Sequence, residues 1–232
     1  MPSQPAATPA KASGSRPRRA QLSAPLILDA AALVVERDGP AALTLRKLGT
    51  ELGVNHTAVL RHFSGKDQIV LGLAERVLEE ALEGFEPQGE WDDAFAQLAR
   101  RVRAAYLVHP GIASLVAARV SRSQAEFRGA ELVLATFERA GFSGRDAAVL
   151  YRTVTDLTLA LSAYEASVLV MDPAARAGDE LAMQREYLLA PAQEFPHLAK
   201  AAPELAGISN DEIFESALSL VIDGIRFRRS GR

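Results

Sequence analysis

The 232-residue sequence predicts an all-α fold, and three observations carry that expectation. Apolar residues recur at three- and four-residue spacing along most of the chain, which is the periodicity of one helix face. Glycine and proline cluster between those stretches, where they act as stops. Ala, Leu, Arg and Glu are abundant while aromatics make up only 6%, so helix formers dominate and no β alternation stands out.

The elements follow in order. The first 20 residues hold four prolines, no aromatic and no large apolar residue besides Met1, too little to offset the cost of ordering. Residues 1–21 are therefore expected to be a disordered basic tail. Ser23 is a good N-cap, Pro25 is tolerated in a first turn, and Ile27, Leu28, Ala31, Leu33, Val34 and Val35 supply an apolar stripe. Gly39-Pro40 ends that helix. Thr44 caps a short second helix over 45–52, Gly53 makes a turn, and Asn55 caps a third helix to about Phe63. Residues 64–67 read as another cap, opening a fourth helix that runs toward Gly84. Further helices are expected over 91–108, 111–120, 124–140, 145–170 and 210–228, and residues 172–207 read as an irregular loop with a helical turn or two.

Composition narrows the function. Without cysteine there are no disulfides, thiol nucleophiles or cysteine-ligated zinc. The N-terminus lacks the apolar core of a secretory signal, and the apolar stretch 157–171 is short and interrupted by Glu165. A soluble cytoplasmic protein with no membrane partner is expected. His56, His62, His109 and His197 are scattered without metal-ligand spacing, and no phosphate loop or nucleophile elbow is present. The sequence therefore predicts no enzyme, no cofactor and no bound metal. The net charge of −3 hides an asymmetry: residues 1–70 carry nine Lys/Arg against five Asp/Glu, and residues 71–232 carry seventeen against twenty-four. Only the first part suits a polyanion.

The informative motif spans residues 45–63. A helix-turn-helix needs a small residue where its helices approach, a glycine four residues later at the turn, and an apolar residue six further on. Gly49, Gly53 and Val59 stand at those spacings, and Leu48, Leu52 and Val54 complete the small core. Glycine at the turn takes positive φ freely. Gly49, inside a helix, costs about 1 kcal/mol against alanine, which points to close packing there. A short helix held in this way can enter the major groove with its N-terminal side chains at base edges. Asn55, His56 and Thr57 lie at that end, with Arg61 about one turn on; Arg46, Lys47 and Lys66 add charge for phosphates. The Arg16-Pro17-Arg18-Arg19 run reads first as a solvated tail and second as an arm reaching DNA.

From Leu22 to about Leu73 the chain resembles the TetR family of transcriptional regulators. The carriers are LILDAAALVVERDGP (26–40), LTLRKLGTELGV (43–54) and AVLRHFSGKDQIV (58–70), the last close to the family pattern Ala-Leu-Tyr-Arg-His-Phe-x-x-Lys. The resemblance implies phosphate contacts from Thr44, Thr57 and Lys66, groove-facing Arg46 and residues 55–57, and Phe63 packing behind the recognition helix. His62 at the matching place mostly supports packing. Leu60 departs from the pattern, standing where the family usually has a tyrosine that hydrogen-bonds a phosphate.

A weaker resemblance to the tetracycline-repressor-like branch continues over HPGIASLVAARV (109–120), ERAGFS (138–143) and the apolar stretch 147–170. It implies a helical ligand-binding and dimerisation domain over 71–232 behind a helix-turn-helix domain over 22–70. Homodimers would form through a four-helix bundle of the stretches 145–170 and 210–228. Leu115 or Val116 stands where that branch has a metal-binding histidine, so a tetracycline–metal site is not expected. Candidate pocket residues are Trp91, Phe95, Tyr106, His109, Arg119, Phe127, Tyr151, Thr155, Asp156 and Tyr164. Asp156 and Glu165, carboxylates among apolar neighbours, are expected to pair with arginines across the dimer, to lie at the surface or to face a ligand. The expected protein is a repressor of a palindromic DNA operator released by an apolar small molecule; the alternative is a ligand-independent helix-turn-helix or partner-binding protein.

Overall fold

The structure, a computed structural model, describes residues 21–230. The expectations for the N-terminal tail, including the Arg16 to Arg19 run, fall on residues outside the described ones.

Helix α1 (Ala24–Asp38) starts where the Ser23 hydroxyl accepts from Leu26 N, with Pro25 in the first turn, and stops at Gly39, whose φ of +85° side chains rarely adopt. A single 3-10 turn, Pro40–Ala42, leads to α2 (Leu45–Glu51), capped by Thr44 Oγ1 accepting from Lys47 N at 3.1 Å. Helix α3 is shorter than expected: His56–Val59, extended only by turns up to a Phe63 N donation to Val59 O. Helix α4 (Lys66–Leu82) opens on Gly65 without the side-chain cap expected of residues 64–67.

The body follows as α5 (Trp91–Val108), α6 (Pro110–Val116), α7 (Gln124–Arg139) and α8 (Gly144–Leu169). The segment expected to be irregular instead forms α9 (Pro173–Arg185) and α10 (Pro196–Leu205) before α11 (Asn210–Ser230). The reason is local. Pro173 and Pro196 occupy first turns, where a missing N–H is harmless, and the Asp172 carboxylate accepts from Ala174 N and Ala175 N. None of the described side chains of α9 is buried, so it offers no apolar stripe to read. Among the described residues no strand forms, and no single helix is long and apolar enough to cross a membrane.

Two cores organise the chain. The first joins Ile27 and Val34 of α1, Leu48 of α2, Val59 of α3 and Ile69 and Leu73 of α4 to Tyr106 of α5, Ile112 of α6 and Ala166 of α8. The second gathers Trp91 and Phe95, Phe137, Leu150 and Val154, with Phe214, Leu218 and Ile222 of α11. Val102 packs against both cores, and polar contacts tie the helices further. Gly111 N and Ile112 N, at the start of α6, donate to the Glu36 carboxylate of α1 at 3.4 and 3.2 Å. Arg76 of α4 donates to Asp29 at 2.7 Å and to Pro25 O at 2.9 Å. Arg103 of α5 makes two 2.7 Å bonds to Glu165 of α8, also reaches Asp211 of α11, and lies over the Phe214 ring at 4.8 Å. Glu165 thus finds its arginine within its own chain, as does Asp156, held by Arg152 one turn earlier.

Candidate DNA interface and internal cavity

The helix-turn-helix is built around one close approach. A Cβ on Gly49 would lie 2.9 Å from Val54 O and 3.0 Å from His56 N, backbone atoms that cannot rotate away. Glycine therefore sets the distance between α2 and α3, which explains a residue that otherwise weakens its helix. Gly53 turns the chain with φ +63°.

On the outer side Thr44, Arg46, Asn55, His56, Thr57, Arg61 and Lys66 are all exposed. Their hydrogen bonds decide what each can offer. Thr44 uses an oxygen lone pair on its cap, so its hydroxyl hydrogen can still donate outward. Asn55 Oδ1 accepts from both Thr57 N and Thr57 Oγ1, at 3.0 and 3.1 Å, which leaves the Asn55 amide NH2 as the outward donor. Lys47 differs from the free cation the sequence suggests: it is half-buried, with its ammonium 2.8 Å from Asp38. The Arg37 guanidinium, and after it Lys47, holds the Asp38 carboxyl well below the usual carboxylate range, and Arg37 lowers Glu51 as well. Among the described residues no acid pairs with Lys66, so its charge is not offset in this way. Phe63 packs against the first core. His62 is exposed rather than packed, because the chain has left helical geometry before it, and Leu60 is 42% exposed.

Behind the motif, α4 to α8 enclose a cavity of about 490 Å³. Its wall is apolar along Leu78, Leu82, Leu98, Val102, Val133 and Leu159. Of the sequence candidates, Phe95, Tyr106, Arg119, Tyr151, Thr155 and Asp156 line it. Four do not. Trp91 is buried in the second core, His109 sits at the α5–α6 joint with Nε2 2.8 Å from Glu80 Oε2, and Phe127 and Tyr164 are 58% and 66% exposed. Helical phase explains the last two: the residues that α7 and α8 turn toward the cavity include Gly129, Val133, Thr155 and Leu159. Sequence reasoning missed Ser121, Glu126, Gly129, Ala130 and Arg152. The available signal was small side chains on an otherwise apolar helix face, where a cavity needs unfilled space.

Charge gathers at one side of the cavity. Arg152 donates to Asp156 at 2.8 Å; Glu126 accepts from Ser121 Oγ and Arg122 N, both at 2.8 Å. Arg119 donates to Asp67 Oδ1 at 2.6 Å, across to the first turn of α4. Burial pushes the Tyr106 phenol up to about 12, and burial followed by the Glu126 carboxylate raises that of Tyr151. Arg122, next in sequence to the lining residue Ser121, has φ +56°, a conformation that costs a non-glycine residue energy. Among the described residues no group of three or more His, Cys, Asp or Glu is placed to hold a metal ion.

A glycine-spaced helix pair with an exposed polar face, carried on a helical body around a cavity, defines a helix-turn-helix regulator. Residues 27–73 match the family described as bacterial regulatory proteins, tetR family, and residues 83–229 match the tetracyclin repressor-like C-terminal domain; the chain belongs to the TetR family of transcriptional regulators. It is 29% identical over 206 residues to the tetracycline repressor protein class A from transposon 1721 of Escherichia coli, spanning 88% of this chain and 90% of that one. A possible TetR family transcriptional regulator from Streptomyces coelicolor A3(2) superposes with a TM-score of 0.74 at 28% identity, over 88% and 98% of the two chains. The S. coelicolor TetR family protein ActR, solved in complex with actinorhodin, shares the fold with a TM-score of 0.79 at 23% identity, over 90% and 99%.

Proposed function

We propose that this regulator is a cytoplasmic, dimeric repressor that leaves a palindromic operator when an apolar small molecule fills the cavity. One observation carries the reading: α4 begins at Lys66, beside the recognition helix, and its Ala74, Leu78 and Leu82 form part of the cavity wall. A molecule occupying about 490 Å³ therefore presses on the helix that sets where the DNA-reading face points. Two such heads must match roughly 34–36 Å, one turn of DNA. A ligand that favours a mis-spaced arrangement by a few kcal/mol releases it.

In this reading residues 22–70 read DNA and residues 71–232 bind the effector and dimerise. Thr44 and Lys66 take phosphates, and Thr57 does so by turning its hydroxyl hydrogen from Asn55 Oδ1 to the phosphate, with Lys47 a lesser contributor because Asp38 holds it. Arg46, Asn55, His56 and Arg61 face the groove. Exposed Ile213, Leu220 and Phe227 recur at seven-residue spacing along one side of α11, and Val149 and Tyr164 extend an apolar surface along α8. Such a surface is costly on a monomer and suits a two-fold four-helix contact. The test is a mobility shift on the DNA upstream of the protein's own gene, compared with an Arg46→Ala, His56→Ala double variant. Specific retardation by the wild type alone is expected; identical behaviour of the two proteins refutes the assignment.

A further inference from the structure

We propose that the cavity selects an acidic effector, an apolar body bearing a carboxylate or sulfonate, and that Arg119 takes its anion by giving up Asp67. The inference rests on the effector-binding reading above and adds the ligand's chemical class and the contact it breaks.

Three charged groups share the polar side of the cavity with Arg119, and each is satisfied within that wall. Arg152 and Asp156 pair on one helix, and Glu126 accepts from the Ser121 hydroxyl and the Arg122 amide. Arg119 is different. Arg119 is one of the lining residues, yet its guanidinium reaches an acid partner that stands outside the wall, in the first turn of α4 next to Lys66. The pair is open to solvent, with side chains 35% and 68% exposed, so little holds it closed. Only one of the guanidinium's nitrogens donates to Asp67. A ligand acid entering from the cavity side meets a planar fork able to give two parallel charge-assisted bonds, with an apolar wall for the rest of the molecule. The acid wins that exchange.

The exchange has a mechanical result. The segment containing Arg119 follows α6, whose other end is held by Glu36 of α1. While Asp67 is bound, α6 and its following turn are tied to the DNA-reading half at both ends. Once a ligand acid has replaced Asp67, the first turn of α4 loses one of its ties and Lys66 moves with it. Linkage makes the effect reciprocal: whatever factor the acid removes from the Asp67 contact, removal of Asp67 returns to the acid's affinity. For a pair this exposed that factor is about two to five. A neutral molecule of the same shape fills the cavity and leaves the pair intact.

The experiment compares two fluorescent probes of similar shape on the full chain, anionic 8-anilinonaphthalene-1-sulfonate and neutral N-phenyl-1-naphthylamine, with amide exchange read in the first turn of α4. Mutual competition between the probes is expected in the wild type. Asp67→Asn should tighten the sulfonate about two- to five-fold, and Arg119→Gln should weaken it by about five-fold or more, while the neutral probe is unchanged in both and reports an intact cavity. The sulfonate, and not the neutral probe, should speed exchange in the α4 first turn, an effect absent from Asp67→Asn. If the neutral probe binds but the sulfonate ignores both substitutions or fails to compete, the acid exchange is overturned and the cavity reading survives. If neither probe binds, both fall.

Discussion

Replacing Gly49 by alanine adds one methyl group at the tightest point of the helix-turn-helix. The new carbon would stand 2.9 Å from Val54 O, 3.0 Å from His56 N and 3.2 Å from His56 Cα, against an ordinary contact of 3.4 Å or more. Relief requires α3 to retreat by about half an ångström, since no rotamer change moves a backbone atom. Overpacking of this kind costs about 1–3 kcal/mol, and the better helix propensity of alanine returns about 1, so a net loss of up to about 2 kcal/mol is expected in urea unfolding. DNA binding should suffer more, because Asn55 and His56 move with the retreating backbone. On a labelled duplex selected by the wild-type protein from a random library, anisotropy should show at least a ten-fold weaker complex, about 1.4 kcal/mol. Gly178→Ala is the control. Nothing lies within 4 Å of its added carbon, so stability should hold or rise by about 0.5–1 kcal/mol with DNA binding unchanged. A Gly49→Ala protein as stable as wild type, and equally tight on DNA, would refute the close-approach argument.

Other perturbations separate the remaining contacts. Lys66→Ala should weaken all DNA sequences alike and flatten the salt dependence by about one unit, whereas Lys47→Ala, whose ammonium is already on Asp38, should change the slope less in the same titration. Arg103→Ala leaves the largely buried Glu165 without its partner and uncovers the Phe214 ring; a loss of about 2–4 kcal/mol in chemical denaturation is expected, and Arg103→Met should recover part of it. Burial keeps Tyr106 protonated in the folded state up to about pH 12, whereas the unfolded chain loses that proton near 10. Its contribution is therefore full below pH 10 and is lost as pH rises through 12, about 3 kcal/mol at the limit; unfolding midpoints of Tyr106→Phe should show a correspondingly shallower alkaline decline. Phe227→Asp and Leu220→Asp, at 81% and 71% exposed sites, should shift the sedimentation profile from dimer toward monomer with helicity retained.

Much of this molecule was legible in its sequence, and the exceptions share a physical cause. The boundaries of α5 were readable because an apolar stripe, an acidic first turn and the His109-Pro110 stop agree. The Ser23, Thr44 and Asn55 caps were readable because capping is local chemistry. Helices α9 and α10 were not: α9 is started by Asp172-Pro173 and none of its described side chains is buried, which removes the periodic signal, while in α10 the apolar spacing of Leu198, Ala202 and Leu205 is masked by Pro203, which reads as a helix breaker. Tertiary partners were hidden altogether. No spacing says that Lys47 meets Asp38, that Glu165 meets Arg103 rather than a second subunit, or that Arg119 meets Asp67. For the cavity, large aromatics guided only in part: Phe95, Tyr106 and Tyr151 line it, and Trp91, Phe127 and Tyr164 do not. Trp91 and Phe137 fill the core, and Gly129 and Ala130 leave the room.

The first core has a bearing on how such proteins can be recombined. Its buried members run without interruption from α1 through α4 into Tyr106, Ile112 and Ala166, and Gly111 approaches Val35 O so closely that a methyl there would stand 3.0 Å away. A cut near residue 70 therefore does not free a self-contained module. It bares Val35 and Val77 on one piece or another and strands the Glu36 carboxylate without the two amides it accepts from. Grafting this DNA-reading end onto a foreign body would succeed only with the α6 surface carried along, or with a host presenting a glycine at the same approach. On the proposed assignment of α3 to the groove, new DNA specificities are more readily introduced by side-chain exchange along α3 than by trading heads.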